Sequence, residues 1–87
     1  MNPNYKLGYV LWKLKHERGF TWTELAQKAG ISRAYLYKLL DGVDPRSGKP
    51  SYPTIKVLID IADALEISRI EFLRQCGYIE KQEQSDS

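Results

Sequence analysis

Three times this 87-residue chain writes the same start and stop signal for a short helix. An apolar residue precedes a hydroxyl residue, a second apolar residue comes one helical turn later, and a glycine closes the run. The units are Phe20-Thr21 with Leu25 and Gly30, Ile31-Ser32 with Leu36 and Gly42, and Ile67-Ser68 with Phe72 and Gly77. The hydroxyl accepts from an amide that the first turn leaves orphaned, and the apolar pair fixes the angle of entry. Glycine takes the left-handed backbone that ends a helix. Thr21-Trp22-Thr23-Glu24 and Ser68-Arg69-Ile70-Glu71 add an acid three residues after the cap, the pattern of a reciprocal capping box. Because the first two units meet through Gly30-Ile31-Ser32 alone, their helices are bound to pack against each other across a tight turn.

Two further helices complete the pattern. Apolar Leu7, Val10, Leu11 and Leu14 mark one buried face of a helix from about Asn4 to Arg18. Pro53-Thr54 opens another, whose Ile55, Leu58, Ile59, Ala62 and Leu65 keep a three-and-four spacing. Strand-like alternation never persists, so the expected fold is all-α with five short helices in one domain over residues 1–79. Asp44-Pro45, Ser47-Gly48 and Lys49-Pro50 are turn dipeptides, and they make 43–52 a long loop rather than a hidden element. Residues 80–87 carry no apolar side chain and read as a frayed acidic tail.

A chain this short buries only about 60–65% of its unfolded surface, so its patterned segments serve one core. At 43% hydrophobic and 28% charged it is too apolar to be disordered throughout. Cys76 and His16, one of each, offer neither an internal disulfide nor a zinc site. No phosphate-binding glycine loop and no Ser/His/Asp set is present, so the expectation is no enzyme, no cofactor and no metal. No apolar stretch near the start is long enough to span a membrane, and the expected location is the cytoplasm. The net charge of +2 conceals an asymmetry. Met1 to Lys56 holds ten Lys/Arg against four Asp/Glu, whereas Val57 to Ser87 holds three against seven. A basic part joined to an acidic part suits a molecule that offers one surface to a polyanion and keeps another away from it.

The two helices joined at Gly30-Ile31-Ser32 form a helix-turn-helix, with Ile31 plugging the gap and Ala26 small enough for close packing. The run from Phe20 to Arg33, continued by Leu36, Leu39 and Gly42, resembles the Cro/repressor-type helix-turn-helix, also called the xenobiotic response element family. The likeness continues through Pro53-Thr54-Ile55, Ile61 to Leu65 and Phe72-Leu73, covering roughly residues 5 to 79. It implies a lambda-repressor-like five-helix domain in which helices 2 and 3 are the motif and the third helix, from Ser32 to Asp41, lies in the major groove of double-stranded DNA.

Carried across by position, the resemblance selects Ser32, Arg33, Ala34 and Lys38 as base readers, with Tyr35 and Tyr37 flanking them; Tyr37 is placed with the readers and Tyr35 with the backbone contacts. Their chemistry suits the task. Arg33 can pair with guanine O6 and N7, Lys38 can reach a second guanine or a phosphate, and the Ala34 methyl can pack on a thymine methyl. Helix starts at Thr21-Trp22 and Thr54 present amides to phosphates, and Arg46, Lys49 and Ser51 in the loop add further backbone contacts.

Three departures from the family stand out. Trp22 occupies a position where members often carry Gln, and Lys15 with Leu40 replaces an Arg–Glu ion pair. With the pair gone, Leu40 is expected to join the core and Lys15 to turn toward solvent or phosphate. The 43–52 loop is also longer than the usual link.

One module this small reads few base pairs, which implies two copies on half-sites about 34 Å apart. Family members usually pair through the fifth helix and the segment after it, which points to Ile70, Leu73, Cys76, Tyr78 and Ile79 as a homodimer interface. The end Cys76-Gly77-Tyr78-Ile79-Glu80 also resembles the junction at which longer repressors continue into another domain, which this chain is expected to lack. The leading expectation is a dimeric transcription regulator that acts as a repressor on a pseudo-palindromic operator. The alternatives are a protein-interaction module using Trp12, Trp22, Tyr35 and Tyr37, and an antitoxin or restriction-modification controller.

Overall fold

A computed structural model describes residues 4–44 and 46–79. The described residues form five helices: α1 (Tyr5–Arg18), α2 (Trp22–Ala29), α3 (Arg33–Asp41), α4 (Ile55–Ala64) and α5 (Arg69–Cys76). The tail 80–87 and Pro45 lie outside the described residues.

The caps act as the sequence implies at the centre of the motif. The Thr21 hydroxyl accepts from the Glu24 amide at 3.1 Å, and the Glu24 carboxylate accepts from the Thr21 amide at 2.9 Å, closing the capping box. Ser32 caps α3 by accepting from the Tyr35 amide at 3.0 Å. Gly30 ends α2 at φ 73, a conformation glycine enters without the steric cost that a Cβ brings.

At α5 only half of the expected box forms. Ser68 accepts from the Glu71 amide, but the Glu71 carboxylate accepts from Arg74 and Gln75 instead of reaching back. The two side-chain donors one turn on compete with the Ser68 amide for the same carboxylate, and they win.

The core is built from Leu7, Val10, Leu11 and Leu14 of α1, Leu25, Ala26 and Ala29 of α2, Leu36 of α3, Leu58, Ile61 and Ala62 of α4, Leu65, and Phe72 with Cys76 of α5. α2 packs most extensively on α4, while α1 lies against both α3 and α5. The buried row of α4 is Leu58, Ile61, Ala62 and Leu65, not the row expected from Ile55 onward. Ile55 is 61% exposed, because no neighbour covers that side of the first turn. Leu40 packs against the core, in keeping with the loss of the family's ion pair at that position.

The long loop is not extended in space. Val43 and Pro50 form an antiparallel bridge, the Asp44 amide donates to Lys49 O at 2.8 Å, and the Gly48 amide donates to Asp44 O at 2.7 Å. Asp44 Oδ1 accepts from the Arg46 amide at 2.9 Å, and the Ser51 amide returns to Gly42 O at 3.0 Å. A long insertion that satisfies its own backbone in this way becomes a folded hairpin beside α3.

Its inner end is held by a residue that the helix and loop signals of the sequence do not single out. Asn4, fully buried, donates through Nδ2 to Leu39 O at 2.9 Å and to Ser51 O at 2.6 Å. One amide group thus ties the start of α1 to the end of α3 and to the base of the loop.

Candidate nucleic-acid interface

The outer face of α3 is dictated by its inner one. Leu36 and Leu39 are completely buried and Leu40 is half-buried, so Arg33, Ala34, Tyr37 and Lys38 are left on the outer side and the flanks of the helix. Ser32, Arg33, Ala34 and Tyr37 are exposed, and Tyr35 and Lys38 are half-exposed.

Ser32 is engaged as the cap, but a hydroxyl that accepts one bond still has a proton to donate. Arg33 Nη1 donates to Thr23 Oγ1 at 3.2 Å, which anchors the guanidinium against α2 while its other N–H groups stay open. Thr23 is the partner that sequence reasoning missed; it lies inside the capping-box segment, and its contact with Arg33 is made across the turn. Lys38 Nζ lies 5.2 Å from the centre of the Tyr35 ring, a cation–π contact that steadies a long side chain at the surface.

On the Tyr35 and Lys38 side the loop closes in. Ser32, Ala34, Tyr35, Lys38, Asp44 and Arg46 line one open cleft of about 390 Å³. The structure therefore gathers Arg46 with the α3 residues. Lys49 is exposed on the loop, outside that lining, and Ser51 is half-buried with its backbone turned inward to Gly42 and Asn4.

The remaining backbone candidates sit at helix starts. Thr21 caps α2 and Thr54 caps α4, where its hydroxyl accepts from the Val57 amide at 3.2 Å. Each cap satisfies one amide and leaves others of the first turn pointing outward. Trp22 is half-buried beneath Lys15, whose Nζ lies 4.8 Å from the ring centre and donates to Phe20 O at 3.5 Å. The expectation that Lys15 turns away to solvent or phosphate is thus corrected: the tryptophan that replaces the family's Gln gives it an aromatic face to lie on.

The opposite end of the chain is mixed. Ile70 is 53% exposed, and Tyr78 and Ile79 are exposed, whereas Leu73 packs against the core. Cys76 is buried, and burial pushes its thiol pKa up to about 12. A side chain enclosed by its own core has no surface to offer a partner, so Cys76 drops out of the expected dimer contact.

Trp12 stacks on His16, with ring centres 5.3 Å apart, and continues an exposed row begun by Tyr5 and Tyr9 along α1. Among the described residues no group of three or more His, Cys, Asp or Glu is placed to hold a metal, and no helix is long and apolar enough to cross a membrane.

The comparison with known proteins agrees with this geometry. Residues 10–74 match the model of the Cro/C1-type HTH DNA-binding domain. The chain belongs to that family. Among solved structures it is similar to the restriction-modification controller protein C.Esp1396I, with 29% identity over 83% of this chain and 84% of that one and a TM-score of 0.64. It is also similar to the clp gene regulator ClgR from C. glutamicum, with 26% identity over 91% and 95% of the two chains and a TM-score of 0.65. The SinR protein/SinI protein complex contains a chain of the same fold, at 24% identity, covering 86% of this chain and 67% of that one with a TM-score of 0.61. No curated protein is close enough in sequence to match. This chain is thus a Cro/C1-type helix-turn-helix DNA-binding domain, with α2 and α3 as the motif.

Proposed function

We propose that this protein binds a pseudo-palindromic operator as a homodimer and represses transcription from it, in the cytoplasm and without enzymatic activity. The observation that carries the reading is the outer side of α3. Arg33, Ala34 and Tyr37 are exposed on it and Lys38 is half-exposed beside the loop. In this docking mode the base readers are Ser32, Arg33, Ala34, Tyr37 and Lys38. Thr21, Trp22, Tyr35, Arg46, Lys49, Ser51 and Thr54 then fix the helix on the sugar–phosphate backbone. Ile70, Tyr78 and Ile79, with the edge of Leu73, form the dimer contact.

Titrating the protein's own upstream region against random DNA across a salt series tests the reading, with sedimentation to report mass. Specific affinity above the random level and a dimer on the operator support it. Equal affinity for both DNAs overturns sequence-specific regulation. Arg33→Ala is expected to cost about 1–3 kcal/mol and to relax preference at one base position.

A second reading within the same class is a controller of a restriction-modification system, favoured by the structural likeness to C.Esp1396I. A neighbouring gene for a restriction endonuclease or methyltransferase would separate it from a general repressor.

A further inference from the structure

The cleft between α3 and the loop holds one acid among bases. Asp44 shares its lining with Lys38 and Arg46, yet neither cation forms an ion pair with it. Elsewhere the molecule does pair its charges, as in Lys56–Asp60 at 2.8 Å and Arg69–Asp63 at 2.9 Å. Asp44 Oδ1 is committed to the Arg46 amide, which leaves Oδ2 as a further acceptor on a residue that lines the cleft. Closing that turn does not require a charge, because an Asn or Ser oxygen would accept the same bond. A carboxylate on a surface that meets phosphates is repelled by them, and a donor from the ligand adds to the neighbouring Lys38 and Arg46 cations in offsetting the penalty. In the major groove the exocyclic amine of cytosine is such a donor, and carboxylates are its matching acceptors.

We propose that Asp44 is a specificity-determining residue: its carboxylate accepts from cytosine N4 at one position of each half-site, and the Arg46 guanidinium addresses O6 and N7 of the paired guanine. The loop is then a second reading element beside α3, with Tyr35 and Lys38 forming the wall between the two. This inference rests on the DNA-reading role given to α3 above. It reassigns Arg46 from the phosphate backbone to a base.

In vitro selection from a random DNA library, run with the parent protein, Asp44→Asn, Asp44→Ser and Arg33→Ala, tests it. Both Asp44 variants keep an oxygen for the Arg46 amide, and a thermal melt on each reports that the fold is intact. The parent is expected to enrich a motif with a C·G pair at one loop-read position. Asp44→Asn is expected to lose cytosine there by about tenfold in discrimination and to gain bases that present an acceptor, since its free group is now a donor. Asp44→Ser loses cytosine by a similar factor without that gain, and in both the positions relaxed by Arg33→Ala stay intact. A motif that both Asp44 variants retain unchanged overturns this proposal and leaves the α3 reading standing. A parent protein that enriches no motif overturns both.

Discussion

The two connections that flank α3 leave their preceding helices in the same way and then diverge. Gly30 and Gly42 both take left-handed backbone, at φ 73 and 80. After Gly30 the chain re-enters a helix within Ile31 and Ser32, guided by a cap and by Leu25 and Leu36, both completely buried. After Gly42 it runs through the 43–52 hairpin, closed by backbone bonds between Asp44, Gly48 and Lys49 and tied down by Asn4. One border of α3 is thus set by apolar packing and a local code, and the other by polar bonds to a residue far away in sequence. The lesson is that the two borders of one helix can draw on two kinds of stabilisation, and the two should fail differently.

The largest expected effect lies on the apolar side. Leu36→Ala removes a completely buried side chain beside the turn and is expected to cost about 2–5 kcal/mol in urea denaturation. A loss below about 1 kcal/mol would mean that the turn does not depend on this core.

On the polar side Asn4→Ala removes the donor from two carbonyls, the buried Leu39 O and the partly buried Ser51 O, and is expected to cost about 1–3 kcal/mol. Its signature should be faster amide exchange at Asp44 and Ser51, ahead of the rest of the molecule. Uniform acceleration across all helices would break the distinction between the two borders.

Gly30→Ala and Gly48→Ala make the cleanest pair. Both glycines sit at φ near 72, and a Cβ at either would meet no atom within 4 Å, so the backbone strain is nearly the same. Gly30→Ala should lower global stability by about 1–2 kcal/mol. Gly48→Ala should lower the unfolding midpoint by less than half as much, because the hairpin can open locally while the core remains folded. Equal losses would show that the hairpin and the core unfold as one unit.

The smallest effect is expected outside both connections, at the exposed pair that links α4 to α5. Two hydrogen bonds from Arg69, at 2.9 and 3.0 Å, hold the Asp63 carboxyl below the usual carboxylate range. A depressed pKa stabilises the fold above the unfolded value, and the contribution is lost as pH falls through the folded one. Asp63→Asn should therefore melt slightly below the parent near neutrality, and the difference should close as the solution is acidified below about pH 4. A gap that persists in acid would assign the effect to packing rather than to charge.

The motif was readable because its information is local. Thr21, Glu24, Gly30, Ser32 and Gly42 each act within one turn of their own position, and the helices begin and end where these residues place them. The site was half readable. Arg33, Ala34 and Tyr37 are exposed, and Lys38 half-exposed, because Leu36 and Leu39 must be inside, which periodicity alone implies. Thr23 behind Arg33 and Asp44 beside Lys38 were not readable, since both depend on what packs next to α3 rather than on α3 itself. Lys15 was misjudged for the same reason: its partner, Trp22, is on another helix.

By itself the sequence determined five helices, their caps, the tight turn at Gly30 and the split of charge between a basic front part and an acidic back part, because each is set by neighbours along the chain or by composition. Only the tertiary structure decided which way the 43–52 segment folds, that Asn4 holds it, that Cys76 faces inward, and that Asp44 and Arg46 share a cleft with α3. Those outcomes depend on contacts between residues far apart in the chain, as Asn4 is from Leu39 and Ser51, or on which of several competing polar partners reaches an orphaned group first. Hydrophobic periodicity carries no information about either.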